Sequence, residues 1–298
     1  MKLYTVVEAI PSRIVGLATL LRAIDGEAYT RTETIDLLQP PVLRKGAKAD
    51  ADMATKVISA AIEIGLVEEL DDDRGERCLR LAVQVDPSSD TPRDYWARWV
   101  ARRVLHDLVE GEARRLATVF AWFMTIPLRE TPSDRVAWKV RFERDGFDLQ
   151  EFGLNPDARW DNLFDWARFL GLIWQTGTGR DAPGVVCDPA ALIGSCLDEL
   201  LPEDREVTAD EFRTRLGSAF PLLDGGWLLR EVREAVAAAR GTTRELEDRW
   251  SPGVGLALRE LRDRGAIAYH CPDDQRAFLL FDDGERIAFL SRAGARLQ

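Results

Sequence analysis

One short pattern occurs three times along this chain: an apolar helix, a glycine and then a strand. The glycines are Gly65, Gly171 and Gly265, spaced by roughly a hundred residues. A glycine directly after a helix is typical of the position where the backbone turns left-handed, because a Cβ is costly at positive φ. Solenoid repeats are only about 20 to 50 residues long. The spacing therefore predicts repeated domains rather than a solenoid.

The first copy of the pattern is preceded by two further helices. An apolar helix is predicted over Ser12–Ile24, and Thr30 with Glu33 forms a T-x-x-E capping box that starts a second helix. After Gly65 the sequence predicts a β-hairpin whose returning strand spans Cys78–Val83. Three helices followed by a β-hairpin is the order of a winged helix-turn-helix.

The other two copies extend the repeat. Thr208 and Glu211 form a second T-x-x-E box, and an Asp-Gly turn after Phe281 predicts an additional strand over Arg286–Leu290. The predicted helix and its two strands are Asp161–Leu170, Leu172–Gln175 and Val185–Cys187 in the second copy, and Gly253–Arg264, Ala266–Cys271 and Ala277–Phe281 in the third.

These elements predict a mainly α fold with small β-hairpins, of the α+β class, built from three tandem winged helix-turn-helix-like modules. Linker composition over Pro87–Pro92 and a break in the apolar pattern at Pro202–Thr208 mark the boundaries. The predicted domains are an N-terminal winged helix over 1–88, a Trp-rich helical module over 89–202 and a C-terminal winged helix-like module over 203–298.

Composition limits the partners of the chain. Its 298 residues are 46% hydrophobic and 31% charged, which is typical of a soluble globular protein. A net charge of −11 opposes non-specific binding to nucleic acid or to anionic lipid. The longest apolar run, Leu116–Leu128, is shorter than the about 20 residues that span a bilayer. We therefore expect a cytoplasmic protein without a membrane partner, whose four widely spaced cysteines are reduced.

Basic side chains near the third helix of the first module are candidates for DNA binding. Such a module inserts the N-terminal part of its third helix into the major groove. The candidates are Arg44, Lys45 and Lys48 before that helix, and Lys56 and Ser59 on it. Acidic residues at 50, 52 and 63 share the segment and would repel phosphates. A solvated surface or a protein-facing helix is therefore the favoured interpretation, and DNA contact is the alternative.

The corresponding helix of the third module offers Arg259 and Arg262 as a second set of DNA-binding candidates. Glu260 and Asp263 alternate with these arginines. Such spacing is also typical of a salt-bridged, solvent-exposed helix face, and this alternative stays open.

The nine tryptophans, concentrated in the central third of the chain, have three interpretations. Their spacing is helical and apolar, which favours core packing. Stacking on unpaired bases is the second interpretation. The third is a partner-binding anchor around Trp160, Phe164 and Trp166.

The sequence carries little material for catalysis. Two histidines, His106 and His270, do not suffice for a multi-histidine metal site, and a phosphate-binding G-x-x-x-x-G-K-[ST] motif is absent. The acidic runs, such as Asp71–Asp73, fall in predicted turns, where aspartate stabilises the backbone. We therefore expect a protein that is not an enzyme and uses no cofactor or metal. An enzyme with an unrecognised catalytic site is the alternative to this expectation.

The segments AAIEIGLVEE and SPGVGLALRELRDRGAIAYHC, with the strands through FLLFDDGERIAFLS, carry a resemblance to a known family. The chain resembles the DpdG family of multi-winged-helix accessory proteins in bacterial phage-defence islands, part of the gene set for 7-deazapurine modification of DNA. The resemblance implies a non-catalytic adaptor or DNA-sensing subunit of an antiviral defence complex. Its partners would be protein subunits of that complex and double-stranded DNA. The alternative is a sequence-specific transcription regulator that uses the N-terminal winged helix.

Overall fold

The computed structural model describes residues 9–23, 29–43, 52–72, 75–82, 92–107, 111–176, 184–242, 248–281 and 284–293. Helices and small antiparallel sheets alternate in these segments, which confirms the predicted α+β class. The helices α1 to α12 are Pro11–Ala23, Arg31–Leu38, Asp52–Glu63, Pro92–Arg102, Gly111–Met124, Arg135–Arg144, Asp157–Phe169, Ala190–Gly194, Leu197–Leu200, Ala209–Ala219, Trp227–Arg240 and Pro252–Asp263.

The strands β1 to β10 are short. They are Tyr29–Thr30, Val67–Asp71, Arg77–Leu81, Ile173–Thr176, Gly184–Cys187, Val207–Thr208, Ile267–His270, Phe278–Leu279, Arg286–Ile287 and Phe289–Arg292. A π-helical turn over Arg103–Asp107 continues α4, and 3-10 turns cover Pro41–Leu43 and Leu128–Glu130.

The predicted helix starts and stops are confirmed where local sequence determines them. Thr30 and Glu33 form the complete capping box of α2. The three helix-stopping glycines Gly65, Gly171 and Gly265 have φ of 72°, 72° and 70°. At the start of α10 the Thr208 hydroxyl accepts the backbone N–H of Glu211. The carboxylate of Glu211 instead binds Arg205 and Arg215.

Two of the sheets have the same strand order. In the first, β1 pairs with β3 and β3 with β2; in the second, β6 pairs with β10 and β10 with β7. In both, a two-residue strand directly before a capped helix joins the outer side of a longer pair. The middle copy forms the two-stranded sheet β4–β5.

One predicted strand pairing is wrong. Ala277–Phe281 was expected to return alongside the strand that follows Gly265, but that strand, β7, pairs with β10. Within the expected segment, β8 pairs instead with β9, and Leu280 N–H donates to the Glu285 carbonyl. The reason is local, because β8 and β9 follow each other closely along the chain and a short connection favours pairing of the two strands that it joins. The strand after this inner hairpin then returns to β7.

Aromatic side chains form much of the core beneath α5. Trp122 and Phe123 on this helix contact Trp138 of α6, which in turn contacts Phe164 of α7, with ring centroids 5.2 to 5.6 Å apart. Trp96, Trp122, Trp160 and Trp166 have no exposed surface, which confirms core packing for these four.

The hypothesis that Trp160, Phe164 and Trp166 form a partner-binding anchor is wrong, because these side chains are 0%, 6% and 0% exposed. The helical spacing of these three residues places all of them on the buried side of α7. Trp174, on β4, is instead 46% exposed.

One continuous cluster of buried apolar side chains contains residues from all three predicted domains. Trp166 Nε1 donates to the Ala9 carbonyl at 3.1 Å, and Arg103 Nε donates to the Ile64 carbonyl at 3.1 Å. Helix α5 packs against α11 and α12. The division at residues 88 and 202 stays a prediction, and the units share their hydrophobic interior.

We expect the buried Asp188 to make the stability of the fold depend on pH. It lies between β5 and α8, where its Oδ1 accepts the Ala190 N–H at 2.9 Å. Burial, followed by the hydrogen bond and negative charge of Glu260, raises the pKa of Asp188 to about 7. An unfolded aspartate titrates near 3.8. The folded state therefore holds this proton more tightly, and the stability that it contributes is lost as the pH rises from about 4 through 7.

We expect Asp188→Asn to weaken this pH dependence, because the amide oxygen can still accept the Ala190 N–H without ionising. Urea unfolding at a series of pH values measures the effect. The wild-type free energy of unfolding should fall between pH 4 and pH 7 by more than that of the variant. An Asp161→Asn control on the exposed side of α7 should follow the wild type. Parallel curves for Asp188→Asn and wild type would contradict the assignment.

Candidate nucleic-acid interface

Helix α3 presents one buried face and one accessible face. Ala54, Val57, Ile58 and Ala61 are at most 1% exposed, and the helix packs on α1. The apolar spacing of these residues explains why this face is buried. On the remaining side, Ser59 and Glu63 are exposed.

Two of the DNA-binding candidates of the first unit lie on α3. Ser59 is exposed, and its hydroxyl donates to the Thr55 carbonyl at 2.8 Å. Lys56 is half-buried on the same helix. Arg44, Lys45 and Lys48 lie outside the described residues, in the segment directly before α3.

The β2–β3 hairpin adds basic residues that sequence reasoning missed. Arg77 and Arg80 are exposed on β3, on either side of the buried pair Cys78 and Leu79. Arg80 Nε donates to Glu68 on β2 at 2.7 Å. The signal was present in the sequence RCLRL, where two arginines flank two apolar residues that face the core. In the hairpin turn, Asp72 accepts the Glu76 N–H at 2.8 Å, which confirms its predicted turn-stabilising role.

Arg259 and Arg262, the candidates on α12, converge on one carboxylate. Arg259 Nε and an Arg262 Nη donate to Glu285 at 3.1 and 2.6 Å, and the Tyr269 hydroxyl donates to it at 2.8 Å. Burial opposes ionisation of Glu285, but the hydrogen bonds from Arg259 and Tyr269 hold its pKa below the ordinary value. The arginines also lie over aromatic rings, Arg259 over Phe281 at 4.0 Å and Arg262 over Tyr269 at 4.9 Å.

Both histidines are exposed, and each lies beside one carboxylate of its own. His106 Nδ1 is 2.8 Å from Asp107, and His270 Nε2 is 2.9 Å from Glu206. Within the described segments, no group of three or more His, Cys, Asp or Glu side chains is placed to hold a metal ion.

A family model described as DpdG-like matches residues 1–275 of the chain. The chain belongs to the DpdG-like family. The predicted resemblance is thereby confirmed, and membership associates this DpdG-like protein with a DNA-modification and defence gene set. No curated protein and no solved structure matches it. In the part of the DpdG-like chain that the structure describes, every helix is too short or too polar to cross a bilayer.

Proposed function

We propose that this DpdG-like protein is a non-catalytic adaptor or DNA-sensing subunit of a bacterial antiviral defence complex. Its N-terminal unit contacts DNA, and other surfaces bind the protein subunits of the complex. The observation that carries the proposal is the arrangement of the N-terminal unit, in which α3 packs on α1 beside a sheet ordered β1–β3–β2.

This arrangement supports a winged helix-turn-helix. Helix α3 corresponds to the helix that enters the major groove, and the β2–β3 hairpin to the wing beside the phosphate backbone. Ser59 and Lys56 on α3, and Arg77 and Arg80 on the hairpin, supply polar and basic contacts of the kind that such a module makes. The C-terminal unit repeats the strand order, but Arg259 and Arg262 there share the part-buried Glu285, whereas Arg80 pairs with Glu68 at the surface and is 62% exposed. We therefore assign the DNA contact to the N-terminal unit.

Net charge and exposed apolar side chains support the adaptor role. A charge of −11 limits how strongly bare DNA can be bound. On α6, Val136 and Val140 lie one helical turn apart and are 71% and 58% exposed. We take these two neighbouring exposed valines as the candidate contact for a partner protein. The non-catalytic role is proposed because the sequence has only two histidines, each exposed beside one carboxylate.

The alternative function, a sequence-specific transcription regulator, is favoured by the same N-terminal unit. A regulator binds its operator about 10³ to 10⁷ times more tightly than other DNA. Competition with unrelated duplex distinguishes the two functions, because a sensing subunit without an operator should be displaced equally by every sequence.

We expect the triple variant Arg44→Glu, Lys45→Glu, Lys48→Glu to lose DNA binding without unfolding. Reversing three charges near the phosphates removes favourable contacts and adds repulsion. Exposed charge changes usually alter stability by less than about 0.5 kcal/mol each. Fluorescence anisotropy with labelled duplex measures the affinity, and thermal melting measures the stability.

The matched control reverses three exposed arginines elsewhere, Arg102, Arg168 and Arg205. It changes the net charge by the same amount, so it should weaken binding only through the overall charge. Equal affinities of the two triple variants would remove the N-terminal unit as the DNA-contacting surface.

A further inference from the structure

A cavity of about 680 Å³ lies where α11, α12 and the segment after α5 meet. Its wall is rich in arginine, and Glu130 is the one carboxylate among the described residues that line it. The lining arginines are Arg129, Arg233, Arg240, Arg249 and Arg259. Five guanidinium groups therefore line one cavity of a chain whose net charge is −11.

Carboxylates behind the cavity hold three of these arginines. Each of the three carboxylates also pairs with at least one arginine outside the cavity wall. The sets are Asp145 with Arg141 and Arg240, Asp224 with Arg213 and Arg233, and Glu285 with Arg259 and Arg262. Arg141 also pairs with Glu130 and Arg262 with Asp263, so these ion pairs fix the arginine side chains in place.

The remainder of the wall is apolar and aromatic. Trp250, Leu280 and Phe281 line the cavity, and Trp250 and Leu280 are each 3% exposed. The indole N–H of Trp250 is buried and has no acceptor among the described residues. A buried donor without a partner is costly, and a bound oxygen or ring nitrogen would satisfy it.

We propose that this cavity binds a nucleoside monophosphate. Guanidinium groups match phosphate oxygens through paired hydrogen bonds, and fixed arginines lose little entropy on binding. The apolar and aromatic side of the wall suits the flat face of a base. The volume lies in the range of about 300 to 1,000 Å³ that small-molecule sites occupy, which accommodates a nucleotide and excludes a duplex. The site is independent of the proposed DNA contact, because it lies away from the N-terminal unit.

Isothermal titration calorimetry of the full chain tests the proposal with four probes: AMP, GMP, inorganic phosphate and adenosine. We expect at least one nucleotide to bind at least about tenfold more tightly than phosphate or adenosine, since only the nucleotide uses both sides of the wall. Equal affinity for adenosine would exclude recognition of the phosphate, and equal affinity for inorganic phosphate would exclude recognition of the base. Failure of both nucleotides to bind at millimolar concentration would overturn the proposal.

Two variants locate the site. Arg129→Gln with Arg249→Gln should weaken nucleotide binding at least about tenfold, because hydrogen bonds to a charged group are lost. Leu256→Trp should block binding by filling the cavity without changing the charge. Arg168→Gln, on α7 outside the cavity, is the control and should bind like the wild type. Unchanged affinity in a folded Arg129→Gln, Arg249→Gln variant would place the ligand elsewhere.

Discussion

Asp145→Ala should lower the free energy of unfolding by about 3 to 5 kcal/mol, the usual cost of removing one partner from a buried ion pair. The carboxylate is completely buried at the end of α6. It accepts hydrogen bonds at 2.9 Å from Trp122 Nε1, Arg141 Nε and Arg240 Nε. Its loss removes the acceptor of the Trp122 indole N–H and of Arg240 on α11, and leaves Arg141 with Glu130 alone.

Chemical denaturation measures this loss, and Asp161→Ala is the matched control. Asp161 pairs with Arg135 at the surface, where both side chains are about half exposed. Removing a surface pair costs at most about 1 kcal/mol. A loss of unfolding free energy below about 1 kcal/mol for Asp145→Ala as well would show that the contacts of Asp145 with Arg141 and Arg240 do not hold α6 and α11 together.

The second large effect is a difference in stability cost between alanine substitutions at two of the helix-stopping glycines. Gly171 and Gly265 have nearly the same φ, so alanine at either position carries about 1 to 2 kcal/mol of backbone strain. A Cβ on Gly265 would meet open space, but on Gly171 it would come within 2.9 Å of the Leu192 backbone nitrogen. Overpacking of that kind adds about 1 to 3 kcal/mol. Gly171→Ala should therefore cost about 2 to 5 kcal/mol, and Gly265→Ala only about 1 to 2 kcal/mol.

Thermal melting of the two alanine variants, with Gly265→Val as a third, checks this order. Valine at Gly265 should cost more than alanine, because a β-branched side chain tolerates positive φ poorly. An unchanged melting temperature for Gly265→Val would contradict the left-handed backbone at that position. Equal costs for the two alanine variants would contradict the close packing of α8 on Gly171.

The sequence predicts the local features of this fold well. The capping box at Thr30 and the left-handed conformation at Gly65 depend on residues within one helical turn, and both are confirmed. The partner of β7 depends on which of two later strands returns to it, which the spacing of apolar residues does not determine. The inner hairpin β8–β9 decides the pairing, because it leaves β10 as the strand that returns to β7.

The arginine cluster of the candidate cavity was beyond sequence reasoning for a similar reason. Asp145 and Arg240 are 95 residues apart, and their contact follows from the packing of α11 on α5. The sequence predicts that Arg259 lies on a helix of the C-terminal unit. Its pairing with Glu285 and its position in the cavity wall depend on the tertiary structure. Spacing along a helix predicts which side chains share a face. It does not predict which part of the protein packs against that face.

The most direct test of the proposed function is fluorescence anisotropy of labelled duplex DNA with the purified 298-residue chain across a salt series. The account predicts micromolar or tighter binding at low salt, an affinity that falls as salt rises, and loss of that binding in the triple variant Arg44→Glu, Lys45→Glu, Lys48→Glu. Absence of binding even at low salt, or an affinity that does not change with salt, would contradict the assignment of a DNA contact to the N-terminal unit.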